Sequence, residues 1–260
     1  MTINVFDLDN IQGSEDLSVG ERLKLFMTEL SVSVDRFNAK AFNKSIHTVK
    51  VDDVVKLLTT RNNYFNVSFK HIASPVFFDA KRLSFKDYVE LVLQGIGALK
   101  LVNTQAEDLY RGLKQTAAKG QVVHSLRTGH HIVAINELRQ EVINKIVDSK
   151  VYTRPVSELY VNWGELNSIT QRFNQEVSTL KSRDAEVLSK NMDMVLDILK
   201  LIKRKVDDSE IILNDLERSN LNEAIKLMHE NAKFVGEMLT YITELTSVFG
   251  QQVEQLKKLS

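Results

Sequence analysis

Apolar residues recur at steps of three and four over most of this 260-residue chain, the spacing that paints one stripe along an α-helix. Residues 1–17 stand apart as an arm. Ile3, Val5, Leu8 and Ile11 sit there among acids, Asn10 and Gly13, with no sustained helical period. The first regular stripe, Val19, Leu23, Phe26, Met27, Leu30, Val34, Phe37 and Ala41, predicts a helix over about 18–44. Residues 45–83 are the least regular. Ile46, Thr48, Val49 and Val51 favour an extended segment, and a short helix is expected after Asp52-Asp53. Val67 and Phe69 alternate with polar neighbours ahead of a turn at Ser74-Pro75, the pattern of a minor β-hairpin.

From Ser84, a suitable N-cap, a long helix is expected to run to Lys119 and stop at Gly120. Its buried face reads Phe85, Tyr88, Val92, Ile96, Leu99, Val102, Ala106, Leu109 and Leu113. Another helix is expected over about 129–150, through Ile132, Ile135, Leu138, Val142 and Ile146.

Beyond Pro155, which suits the first turn of a helix, the stripe becomes a heptad. Its first segment runs from Leu159 through Trp163 and Phe173 to Leu180, and its second from Leu188 through Leu199 to Leu216. The third is the longest: Leu221, Ile225, Met228, Ala232, Val235, Leu239, Ile242, Thr246, Phe249, Val253 and Leu256. Two steps of four at Leu180, Asp184 and Leu188 make a stutter that a continuous helix absorbs by unwinding. Arg218-Ser219-Asn220 is expected to form the hairpin turn, with Asn220 and Glu223 as capping box. Residues 156–217 would then be one very long helix, with 221–258 folded back along it for about 57 Å. Ala224, Met238, Leu245 and Leu259 widen the last stripe, so that helix should meet more than one partner. The expected fold class is therefore all-α. An arm (1–17) and a helical body (18–154) precede a long antiparallel coiled-coil or helical-bundle module (155–260).

Composition sharpens this picture mainly by exclusion. Without cysteine there is no disulfide, thiolate metal site or cysteine nucleophile. Only Pro75 and Pro155 interrupt the chain, which permits very long helices. The N-terminal residues lack a basic region followed by an apolar one, so no signal peptide is expected. The most apolar stretch, Val89 to Val102, contains Glu90, Gln94 and Lys100 and is too short to span a bilayer. Intracellular, cytoplasmic-type chemistry is the expectation, with or without incorporation in a virus particle.

Net charge is zero but unevenly placed: −5 over residues 1–35, +6 over 40–86, +5 over 111–154 and −4 over 156–260. Such blocks can orient neighbours in an assembly, although surface charges more often simply solvate a face.

Candidate chemistry is sparse. His130 and His131 are adjacent, so on a helix they point about 100° apart and do not share an ion. His124 is poorly spaced to join either. His229-Glu230 opens like a zinc-protease helix, but Lys233 stands where the second histidine belongs. Gly95-Ile96-Gly97 lies inside a helical stripe with no preceding strand, so close helix packing explains those glycines better than phosphate binding. Lys200, Lys203, Arg204 and Lys205 are followed at once by Asp207, Asp208 and Glu210, which suits a solvated helix face better than a nucleic-acid stripe. No catalytic, cofactor-binding or metal residue is therefore expected, and the chain is not read as an enzyme.

The expected role is structural: assembly through helical and coiled-coil contacts with itself or with other protein subunits. The interaction residues would be Ile3, Val5, Leu8 and Ile11 of the arm. They would be joined by Leu221, Ile225, Met228, Val235, Leu239, Ile242, Phe249, Val253 and Leu256 of the last helix. In texture (asparagine-rich, cysteine-free, helical) the chain is similar to tailed-phage virion components. Two alternatives stand beside it. A membrane-surface protein similar in outline to BAR domains or helical toxins would want a basic face or a longer uncharged hairpin. The other is a helical regulatory subunit whose site is built from scattered residues.

Overall fold

The computed structural model describes residues 67–120, 131–179 and 185–259, with the isolated positions Thr28 and Lys56. The arm with Ile3, Val5, Leu8 and Ile11, most of the helix expected over 18–44, the extended segment at 46–51 and the stutter at Asp184 lie outside the described residues. Within them the protein is mostly helical, with one two-stranded sheet.

Helix α1, Phe85–Lys119, has the bounds its sequence dictates. The Ser84 hydroxyl accepts from the Asp87 N–H at 3.1 Å and donates to the Asp87 carboxylate at 2.7 Å. At the other end Gly120 takes φ +70° and its N–H donates to the Thr116 carbonyl, a backbone conformation glycine adopts without penalty. All nine predicted stripe residues are buried. So are Val89, Leu91, Leu93, Ala98 and Gln105 on other faces, because α1 is enclosed on several sides.

Helix α2, His131–Lys145, stops earlier than the expected Lys150. The chain is drawn off its axis where Ser149 donates through both N–H (2.7 Å) and hydroxyl (3.0 Å) to the Val76 carbonyl. It then forms the sheet. Strand β1 is His71–Ala73 and strand β2 is Thr153–Pro155, antiparallel, with Ile72 opposite Arg154. The expected local hairpin is thus replaced by a long-range pair. Residues 67–70 form a turn closed by the Lys70 N–H on the Val67 carbonyl, and β1 finds its partner about eighty residues later.

Pro155 precedes a single helical turn, α3 (Val156–Leu159). The long helix expected over 156–217 is interrupted here. Tyr160 is extended, and α4 (Trp163–Thr179) starts afresh behind Asn162. The Asn162 side chain accepts from the Glu165 N–H at 2.9 Å while the Glu165 carboxylate accepts from the Val161 N–H at 2.6 Å, so the new helix has its own cap.

Helix α5, Ala185–Asp207, ends on Ser209 at φ +59°. The Glu210 and Ile211 N–H groups both turn back to the Lys205 carbonyl. Helix α6, Asp215–Leu259, then runs 45 residues without interruption. The turn expected at 218–220 is therefore inside α6, and the real one spans 208–214. Asn214 and Glu217 make the capping box, each side chain accepting from the other's N–H at 2.9 Å. Ile211 and Leu213, both buried, pin the turn to the core and fix the break six residues earlier than expected.

Contacts set the helix directions. Phe85 of α1 meets Phe249 of α6 (ring centroids 6.1 Å apart), and Gln105 meets Asn231 (2.6 Å), so these two helices are antiparallel. Glu90 pairs with Arg172 of α4 (2.7 Å). Asn103 pairs with Asn191 of α5 (2.7 Å), and the Ala117 carbonyl with Lys205 (3.3 Å). Helix α5 thus runs parallel to α1. Helix α2 reaches α6 through Arg139 and Glu230 at 2.9 Å. One apolar cluster joins all of them, from Val67 to Leu256.

Candidate functional site

The interaction residues expected on α6 face inward. Leu221, Val235, Leu239, Ile242, Phe249, Val253 and Leu256 are all buried in the chain's own core, which leaves them no surface to offer a partner in this fold. Helix α6 does meet several helices, as its wide stripe requires: α1 through Phe85, α4 through Phe173 and α2 through Arg139. The side chains of Ile225 and Met228 fall outside the described ones.

What sequence reasoning missed is a polar clasp between the sheet and the last turns of α6. Gln255 accepts from the Ala73 N–H at 2.7 Å, and Gln252 donates to the Ala73 carbonyl at 2.6 Å. The Gln252 oxygen also accepts from the buried Tyr160 hydroxyl at 2.6 Å. Two glutamines one helical turn apart therefore satisfy both backbone groups of one strand residue, as a third strand would. Burial pushes the Tyr160 phenol well up, opposed in part by its bond to Gln252.

Further along α6, the Glu244 carboxylate accepts from the Val76 N–H at 2.5 Å. Its second oxygen and the Tyr88 hydroxyl are buried without a hydrogen-bond partner. Burial raises the Glu244 carboxyl; the Val76 bond works against this and the Asp148 charge adds to it. Beside it Tyr241 is pushed up to about 12, by burial first and then by Glu237 and Glu244. A raised carboxyl beside phenols can hold a proton; here Glu244 also ties Val76 to α6, and Tyr241 ties Phe77 to it. Phe77 packs edge-on against Tyr241 with centroids 5.0 Å apart. Among the described residues no three acids or histidines could together hold a metal ion, and no helix is long and apolar enough to cross a membrane. The basic run on α5 is partly committed. Lys200 lies 3.4 Å from Asp197, and Lys205 3.5 Å from Glu210.

The unusual surface lies at the two ends. Among the described residues, large exposed apolar side chains occur at the sheet end and at the α5–α6 turn, with none along the helices between. Tyr152 (69 % exposed) and Val161 (74 %) flank β2 and α3, while Ile212 (83 %) sits on the turn and Leu216 (59 %) at the very start of α6. Ile143, near the end of α2, belongs with the first group. The segments that form the ends differ in charge, with Arg204 and Lys119 exposed beside the turn. The turn segment 207–217 holds five acids and no base. At the sheet end, 67–86 holds four Lys or Arg against Asp79 alone, and 145–161 adds three against two. No family model, no curated protein and no solved structure matches this chain.

Proposed function

We propose that this chain is a non-enzymatic structural or assembly protein, a rigid helical-bundle spacer that makes its contacts with other protein subunits or other copies at its ends. The observation that supports this is the segregation of exposed apolar side chains to the two extremities of a body built on a 45-residue helix. Single exposed apolar residues are ordinary on any surface. Their concentration at both ends, beside a shaft that buries its own stripe, suits a component joined end-on. The heptad-patterned α4, α5 and α6 supply stiffness, in the manner of packed coiled-coil seams. A virion component is the kind of complex its texture resembles.

Sedimentation velocity of the full chain over a wide concentration range, with electron microscopy of the heaviest species, tests this. The expected result is mass that grows with concentration, or with an added subunit, and falls when Val161 and Ile212 are replaced by lysine. A monomer under all conditions, with no subunit cross-linked at either end in its source cell, overturns it.

A further inference from the structure

We propose that one turn of α1, Asn103 to Glu107, is a register lock that holds the α5–α6 hairpin at a single axial position along α1. Two buried amides reach this turn from different helices. Asn231 of α6 donates to the Gln105 side-chain oxygen at 2.6 Å. Asn191 of α5 donates to Asn103 at 2.7 Å and to Glu107 at 3.1 Å. Gln105, Asn191 and Asn231 are all buried, on helices that otherwise bury residues such as Val102, Ala106, Val195 and Val235.

Stability alone does not account for this polar layer. Among the described residues, Gln105 Nε2 and Asn231 Oδ1 are buried with no partner, and an apolar pair of similar shape would leave nothing unmet. What the amides supply is discrimination. The stripes of α1 and α6 repeat apolar residues at steps of three and four, so apolar packing by itself separates poorly two positions one heptad, about 10 Å, apart. The polar layer separates them well. After such a slide Asn231 would lie opposite Ala98 or Gly112, which have no side-chain acceptor. Asn191 would lie opposite Ile96 and Lys100, or Tyr110 and Lys114, none of which offers a carbonyl or carboxylate. Met238, which fills the space beside Gly95, would meet Tyr88 or Val102 instead. Because the turn at 208–214 ties α5 to α6, one level of α1 sets both. On the spacer reading above, which this inference deepens, the lock fixes the distance between the two ends.

The chain has no cysteine, so nitroxide labels on Gln94→Cys of α1 and Gln251→Cys of α6, both exposed positions, report the register in the full chain by pulsed electron resonance. The native background should give one distance. The apolar variant Gln105→Met, Asn191→Leu, Asn231→Leu should melt no lower than the native chain, yet give a second distance population, since a heptad slide moves α6 by about 10 Å. Exchanging the pair, Gln105→Asn with Asn231→Gln, keeps amide against amide and should retain the single distance. One unchanged distance in the apolar variant overturns the lock, because the clasp at Ala73 and the core then set the register alone. Loss of the fold in that variant overturns it too, because the amides are then stabilisers. A second population in the exchanged pair also counts against it. None of these results bears on the assembly reading, which sedimentation tests separately.

Discussion

At Gly95 an added Cβ would collide with the Met238 sulfur of α6, whereas at Gly97 it would meet nothing within 4 Å. Two glycines of one helix are therefore under opposite constraints. Gly97→Ala should stabilise the protein by about 1 kcal/mol, the helix-propensity gain. Gly95→Ala should destabilise it by about 1–3 kcal/mol as α1 and α6 are forced apart. Urea midpoints decide it, and equal shifts of one sign would disprove the close approach at Gly95. Glu244 is the second residue with a measurable signature. Its carboxyl is raised in the fold, by burial above all, so between its ordinary and folded values the native state binds more protons than the unfolded chain. Stability must then fall as pH rises through that window, from the ordinary 4.5 upward. Glu237, raised by burial against the pull of Lys233 and Arg139, adds a slope of the same sign. Glu244→Gln keeps an acceptor for Val76 and removes the ionisation, so its stability should gain on the native chain as pH rises. A difference independent of pH would show that Glu244 does not titrate in this way.

At the scale of elements, helix ends were the hardest thing to place, and the last two helices show why. Asn214-Asp215-Leu216-Glu217 and Asn220-Leu221-Asn222-Glu223 carry the same capping box six residues apart. Local chemistry does not separate them. The choice falls to Ile211 and Leu213, which reach the core only if the chain turns before them, and to Ser209, which accepts a left-handed backbone to end α5. Asn214→Ala should therefore cost about 1 kcal/mol, the usual value of an N-cap. Asn220→Ala, inside the helix, should cost far less. Thermal melts of the two variants test this, and equal losses would return the turn to 218–220. The break at Tyr160 has the same origin. A heptad runs through it, yet the Tyr160 hydroxyl has a buried partner in Gln252, about ninety residues away, that a straight helix would forgo.

For the molecule as a whole, α1 occupies the centre, touching α6 at Phe85, α4 at Glu90 and α5 at Asn103. Its amides should open only in global unfolding, whereas α2, with fewer buried side chains among the described ones, should open earlier. Native-state hydrogen exchange in low urea is expected to find α1 the slowest element and α2 faster. Exchange of α1 at the rate of α2 would contradict the enclosure of α1. The charge of the whole chain cancels but is unevenly placed along the sequence, so self-association that uses those blocks should weaken with salt, whose screening length is about 10 Å at 0.1 M. An unchanged sedimentation profile at high salt would leave the charge blocks without a role in assembly.

Helical class, the bounds of α1, and the apolar stripe of α6 follow from local rules: a period of three and four, a serine before it, a glycine after it; that the stripe of α6 faces the chain's own core does not. These depend on neighbours within a few residues, so the linear chain contains all that is needed to read them. Where Val67–Ala73 would pair, where α5 turns into α6, and why α3 and α4 are separate helices depend on contacts between residues far apart in sequence. Gln252 and Gln255 looked like ordinary polar positions on a long helix until the strand lay against them, and Glu244 became a clasp only when Val76 arrived. A buried polar group takes its partner from whatever the fold brings beside it, and that proximity is a property of the tertiary structure alone.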